Sequence, residues 1–87
     1  MELVPHWISG AEHAGSGKRR GEVYNPAKGK VAKEVAFADQ KDIDDAVASA
    51  KAAFPAWKDT SLAKRSQVMF RFRELLDARK DELAQII

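Results

Sequence analysis

The sequence predicts an α+β fragment: an N-terminal β-hairpin and strands followed by two amphipathic α-helices, short of a complete domain. Three observations predict it. Turn residues and β-branched or aromatic residues at even spacing fill residues 1–38. From 39 to 87 the apolar residues recur at three and four, which reads as a helical hairpin. The apolar helical faces also exceed what the two parts can bury against each other, so together they read as one truncated domain.

The first element is a hairpin over residues 6–14, "HWISGAEHA". Trp7 and Ile8 bring β-propensity, and Ser9-Gly10 suits a tight turn because glycine takes positive φ without penalty. Residues 15–21, "GSGKRRG", have no periodicity and read as a mobile loop. Val23 and Tyr24 begin a strand. Asn25-Pro26 with Gly29 is strong turn chemistry, with proline fixing φ, asparagine capping the turn and glycine closing it. Val31, Val35 and Phe37 then share one face of a second strand, and Lys33 falls on that face too.

The first helix starts at Asp39, whose carboxylate can accept from the free N–H groups of the first turn. Ile43, Ala46, Val47, Ala50, Ala53 and Phe54 form one stripe. Pro55 lacks an N–H and disfavours helical geometry at Phe54, so the helix should end or kink there. Thr60 or Ser61 caps the second helix. Its broad apolar side runs from Leu62 through Val68, Met69, Phe72, Leu75, Leu76 and Leu83 to Ile86, and Phe70 points about 100° away from Met69. Asp81 marks a possible kink or restart. The final Ile86-Ile87 pair carries no glycine, basic last turn or polar tail, which is expected of a truncated domain.

Composition narrows the function classes. Eighty-seven residues make at most one small domain. Of the 45% that are hydrophobic, fifteen residues are alanine. Without cysteine the chain has no disulfide staple, and a small independent domain usually needs a staple of some kind. The net charge of +2 reflects a local cluster, Lys18-Arg19-Arg20. Three charges in a loop with no interleaved aromatics argue against nucleic-acid binding. No long apolar run suggests a membrane span or signal peptide, so the expectation is a cytoplasmic protein without a membrane partner.

Each constellation that could carry chemistry has a plainer reading. "GSGKR" resembles a phosphate loop, but Arg19 follows Gly17-Lys18 and Glu12 stands where the first glycine belongs. His6 and His13 flank the hairpin with too few further ligands for a metal. Asp42, Asp44 and Asp45 at a helix start read as partners of the helix dipole, without the glycine and closing glutamate of a calcium loop. Glu74 and Asp77 lie on an outer face with Arg71 and Arg73. Ser61 and Ser66 have no base near them in the helical half. No catalytic, cofactor-binding or metal-binding residue is expected.

The order of the pieces carries a resemblance. "HWISGAE", "VYNPAKGKVAKEVAFAD", "DIDDAVASAKAAFPAW" and "RSQVMFRFRELLDARKDELAQII" together resemble the N-terminal stretch of the aldehyde dehydrogenase superfamily. Asp59-Thr60-Ser61 after the tryptophan looks like its methylmalonate-semialdehyde dehydrogenase branch. The resemblance implies the N-terminal part of that fold and a parent enzyme that is NAD-dependent and CoA-acylating. It also implies a cysteine nucleophile, an oxyanion-hole asparagine and substrate-binding arginines, none of which matches a position here. No cofactor is therefore expected in this chain itself. The expected partners are the rest of the parent enzyme, with its cofactor-binding domain, and in isolation a second copy through self-association. The alternative reading is a stand-alone helical-hairpin interaction module.

Overall fold

Asn25 organises the tightest part of the chain. Its backbone carbonyl accepts from Gly29 N at 2.8 Å and Lys28 N at 3.2 Å, and its side-chain oxygen accepts from Ala27 N at 3.0 Å. That turn joins two antiparallel strands in a computed structural model that describes residues 2–87. In chain order the strands are β1 (Leu3–Val4), β2 (His6–Ile8), β3 (Ala11–His13), β4 (Arg20–Asn25) and β5 (Lys30–Ala36). Three helices follow, α1 (Gln40–Asp59), α2 (Leu62–Ala78) and α3 (Lys80–Ile86). The class is α+β, as the sequence predicts, with a third short helix beyond the two expected.

The described residues form two units, one ending at Phe54 and one running Pro55–Ile87. In the first, β5 is the centre of a three-stranded sheet of order β1-β5-β4. β4 pairs antiparallel with it, and the register slips by one opposite Ala32, between Val23 and Tyr24. β1 pairs parallel, Val4 against Val35, an addition that the sequence reading did not contain. The expected hairpin is β2–β3, with His6 opposite His13. Its turn places both Ser9 (φ 56°) and Gly10 (φ 75°) in the left-handed region, as a type I′ turn requires. Ser9 tolerates that geometry while its hydroxyl bonds the Ser49 hydroxyl at 2.6 Å.

The strand pattern differs in detail from the expectation. β5 ends at Ala36, the one buried hydrophobic residue among those described. Phe37 lies just past the strand, its N–H donating to the Arg19 carbonyl at 3.1 Å. Its ring lies over Gly21 beside Val35, where a Cβ on residue 21 would sit 2.5 Å from the ring tip. Val35 and Phe37 thus share a face, as their even spacing implies.

The loop 15–21 is not the unstructured connection the sequence suggested. Gly17 packs against the backbone at Phe37 and Asp39, Arg19 bonds Phe37, and Arg20 already belongs to β4. Glycine content implied mobility, whereas the structure uses it for close approach of two backbones.

α1 begins where Asp39 predicts, with Asp42 N donating to its carboxylate at 2.9 Å. The helix does not end at Pro55 but runs on to Asp59. A proline deletes one N–H and crowds one preceding carbonyl, and the turns on either side keep their bonds. Thr60 closes this helix, its N–H donating to Trp57 O and its hydroxyl to Ala56 O at 2.8 Å. Ser61 caps α2 by accepting from Lys64 N at 3.2 Å. The break between α2 and α3 falls at Arg79, two residues before Asp81. There the Arg79 N–H still donates to Leu75 O, and its guanidinium holds Glu82 through two 2.8 Å bonds.

Candidate functional site

The most closely coordinated side chain is Asp42. It is buried, at 6% exposure, among residues that are mostly exposed. Its carboxylate accepts from Ser16 N at 2.9 Å, Asp39 N at 3.1 Å and Gly17 N at 3.3 Å, with the Ser16 hydroxyl at 3.4 Å. Asp39 and Asp42 therefore cap each other reciprocally, as in a capping box with aspartate at the third helical position. These N–H donors, Ser16 first and then Asp39, hold the Asp42 carboxyl well below the usual carboxylate range against the opposing effect of burial. His6 Nε2 lies 3.7 Å from Asp42 Oδ2 and has no hydrogen-bond partner.

This arrangement adds to the expectation that these carboxylates partner the helix dipole. Asp42 is more than a dipole partner, because it fastens the glycine loop to the start of α1. Asp44 and Asp45 face elsewhere, accepting from Gln40 Nε2 at 2.9 Å and Lys41 Nζ at 2.7 Å. The three carboxylates form no cluster. The signal for the reciprocal cap was in the sequence, since Asp39 and Asp42 stand at capping-box spacing.

The other candidates disperse. The Ser16 and Gly17 N–H groups that a phosphate would need are given to the chain's own carboxylate. Arg20 donates to Gly17 O and Arg19 O, and the Arg19 guanidinium lies over the Phe37 ring at 5.7 Å. Arg71 pairs with Glu74 at 3.4 Å on an exposed helical face. Among the described residues no three His, Cys, Asp or Glu side chains are placed to hold a metal ion. None of the described helices is long and apolar enough to cross a membrane.

The second unit shows apolar surface instead of a polar centre. Leu62 is 74% exposed, Phe70 68% and Trp57 47%. Trp57, Leu62, Met69 and Phe70 line a groove with Arg65 and Ser66, the two least exposed residues of α2. Another groove is lined by Phe72, Leu75, Leu76 and Leu83. Arg65 escaped the sequence reading, although it stands three residues after Leu62 and four before Met69, on the apolar side.

The aldehyde dehydrogenase family profile matches residues 13–87. The chain belongs to the aldehyde dehydrogenase family. It is 39% identical over all 87 residues to the malonate-semialdehyde dehydrogenase of Pseudomonas aeruginosa, covering 17% of that protein. It is 40% identical over 85 residues to malonate-semialdehyde dehydrogenase 1 of Geobacillus kaustophilus, covering 98% of this chain and 17% of that one. Among solved structures, a Sinorhizobium meliloti 1021 protein assigned as a methylmalonate-semialdehyde dehydrogenase, complexed with NAD, superposes with a TM-score of 0.93. That match has 40% identity over 98% of this chain and 17% of the other. The chain thus corresponds to the N-terminal part of this dehydrogenase fold and spans about one sixth of its relatives' length.

At the start of α1 the Asp39 N–H is given to Asp42 and the Asp42 N–H to Asp39, and these carboxylates would repel a pyrophosphate.

Proposed function

We propose that this chain is the N-terminal structural segment of an enzyme that oxidises malonate or methylmalonate semialdehyde to an acyl-CoA with NAD. The carrying observation is the match over the whole 87 residues to a small share of malonate-semialdehyde dehydrogenases. The segment supplies scaffold, and the thiolate, oxyanion hole, cofactor site and carboxylate-binding arginines belong to the rest of the polypeptide. Its partner is that remainder, which covers the apolar helical faces. When bound there, NAD supplies the hydride acceptor and CoA takes the acyl group. The cytoplasmic setting expected from the sequence is part of this reading.

Two physical features support it. Within the second unit the large apolar side chains of α2 and α3 stand largely open, and exposed contiguous apolar surface marks an interaction face. The first unit is held at the Asp42 latch by backbone donors, a feature suited to fixing a framework. Expressed alone, the chain hides Phe70, Ile86 and Ile87 by self-association, and light scattering showing a monomer at high concentration would refute that. The main test is to express the longer polypeptide and follow NADH formation with NAD, CoA and each semialdehyde. NADH formation that requires CoA is expected, and an inactive, folded product would overturn the reading.

A further inference from the structure

His6 stands at the foot of the β2–β3 hairpin with an unfinished contact. Its Nε2 is sealed from solvent, has no hydrogen-bond partner and lies 3.7 Å from Oδ2 of the buried Asp42. Gly15, at φ 80°, closes over the gap, where a Cβ would stand 2.7 Å from Asp42 Oδ2 and 2.8 Å from His6 Nε2. A buried ring nitrogen without a partner carries a desolvation penalty, and a charged donor aimed at a carboxylate removes it. The hairpin has little else to hold it. It meets α1 across a groove in which Trp7, Ile43 and Val47 stay exposed, and at its tip the Ser9–Ser49 hydroxyl bond is exposed as well.

We propose that His6 is a pH-sensitive clasp between hairpin and helix: protonated, its Nε2 donates to Asp42 Oδ2 and fastens the hairpin to α1, and on losing its charge it loosens that hold. The partner stays ionised, because the Ser16, Asp39 and Gly17 N–H groups hold the Asp42 carboxyl well below the range in which histidines titrate. It also has capacity for the bond. The single Ser16 hydroxyl proton goes to Asp39 at 2.6 Å, so three N–H groups occupy a carboxylate that takes about four donors. Around the pair, Asp39 sits behind Asp42 and caps with it, and Lys41 with Asp45 form their own pair in the adjoining cleft. The loop brings only the uncharged Gly15 and Ser16. His13 lies opposite His6 on β3, where a charge would oppose the clasp but stands in solvent that screens it. Because the clasp favours the charged imidazole, its contribution is complete at the acidic end. It is lost as pH rises through the histidine range, about pH 5 to 8.

A two-stranded hairpin left to itself is marginal in water, so loosening it opens its ladder amides to exchange. The test is hydrogen exchange of the longer polypeptide, read by mass spectrometry over the hairpin from about pH 8 to 5.5 and corrected for intrinsic rate. Hairpin protection should rise by roughly threefold as pH falls across that span, the size of a partly screened ion pair, while β4–β5 peptides stay level. Ser16 and Gly17 stay level too, since their bonds to Asp42 open without moving His6. His6→Gln and His6→Phe, which cannot take up the charge, should each flatten the hairpin profile, and His13→Gln should keep it. A level hairpin profile in the parent, a dependence that survives both His6 replacements, or one lost in His13→Gln would overturn the proposal. The clasp lies within the first unit, so failure to oxidise either semialdehyde would sink the proposed reaction without touching this result.

Discussion

Replacing Gly17 with alanine isolates the contact on which the latch depends. A Cβ at this position would collide with the Phe37 carbonyl oxygen and stand 3.2 Å from Asp39 N, both backbone atoms. Neither can rotate away, so the loop or the start of α1 must shift. That shift pulls the Ser16 and Gly17 N–H groups off the Asp42 carboxylate. Overpacking of this kind costs about 1–3 kcal/mol, which multiplies the local opening equilibrium by about 5- to 150-fold. Gly21→Ala is the matched control. Its Cβ also meets atoms at close range, 2.5 and 2.7 Å, but they belong to the half-exposed Phe37 ring, which can swing aside. Native-state amide exchange at Ser16, Gly17, Asp39 and Asp42 should therefore accelerate strongly in Gly17→Ala and much less in Gly21→Ala. Equal effects, or a Gly17→Ala pattern indistinguishable from the parent, would refute the latch.

Three further outcomes follow from local geometry. Because its folded-state pKa is depressed, Asp42 contributes stability that is complete above its unfolded value, near pH 4, and is lost as pH falls toward the folded value. Protection at Ser16 and Gly17, corrected for intrinsic rate, should stay flat from about pH 5 to 8 and fall below about pH 4, and Asp42→Asn should lose it at all pH. Ser61→Ala removes the cap on Lys64 N and should cost about 1 kcal/mol, read as faster exchange in the first turn of α2. Pro55→Ala restores a missing donor in α1 and should stabilise that helix by up to about 3 kcal/mol, seen as slower exchange around residues 51–59.

Local chemistry was the legible part of the fold. Asn25-Pro26 with Gly29, the Ser9-Gly10 turn, Asp39 and Ser61 each act through bonds within a few residues, so sequence spacing locates them. The features that escaped are non-local. β1 becomes a strand only because β5 offers it an edge, and two residues carry no periodicity of their own. The glycine loop looked mobile because its partner, Asp42, lies 25 residues beyond Gly17. Pro55 was read as an end or a kink, and the neighbouring turns override the end. At the candidate site, no motif match could have shown that the phosphate-loop lookalike is already occupied by an aspartate. Arg65 was visible only as one polar residue within an apolar stripe, a pattern that packing alone interprets.

Both units are incomplete, and the kind of incompleteness favours a scaffold role. In the first, Asp42 answers several backbone donors at once, with His6 Nε2 beside it left unpartnered. Apolar side chains stay open there too, Trp7, Tyr24, Val47 and Phe54 among them. In the second, Thr60 closes α1, Ser61 caps the start of α2 and the Arg79 N–H closes its end, while large apolar side chains stay open. A catalytic segment would show the reverse, with polar groups held poised and apolar ones covered. Burying a Leu, Phe or Met side chain stabilises by about 1.5–3 kcal/mol. Leu62, Met69, Phe70, Phe72, Leu75 and Leu76 therefore hold in reserve a driving force comparable to a whole domain's net stability.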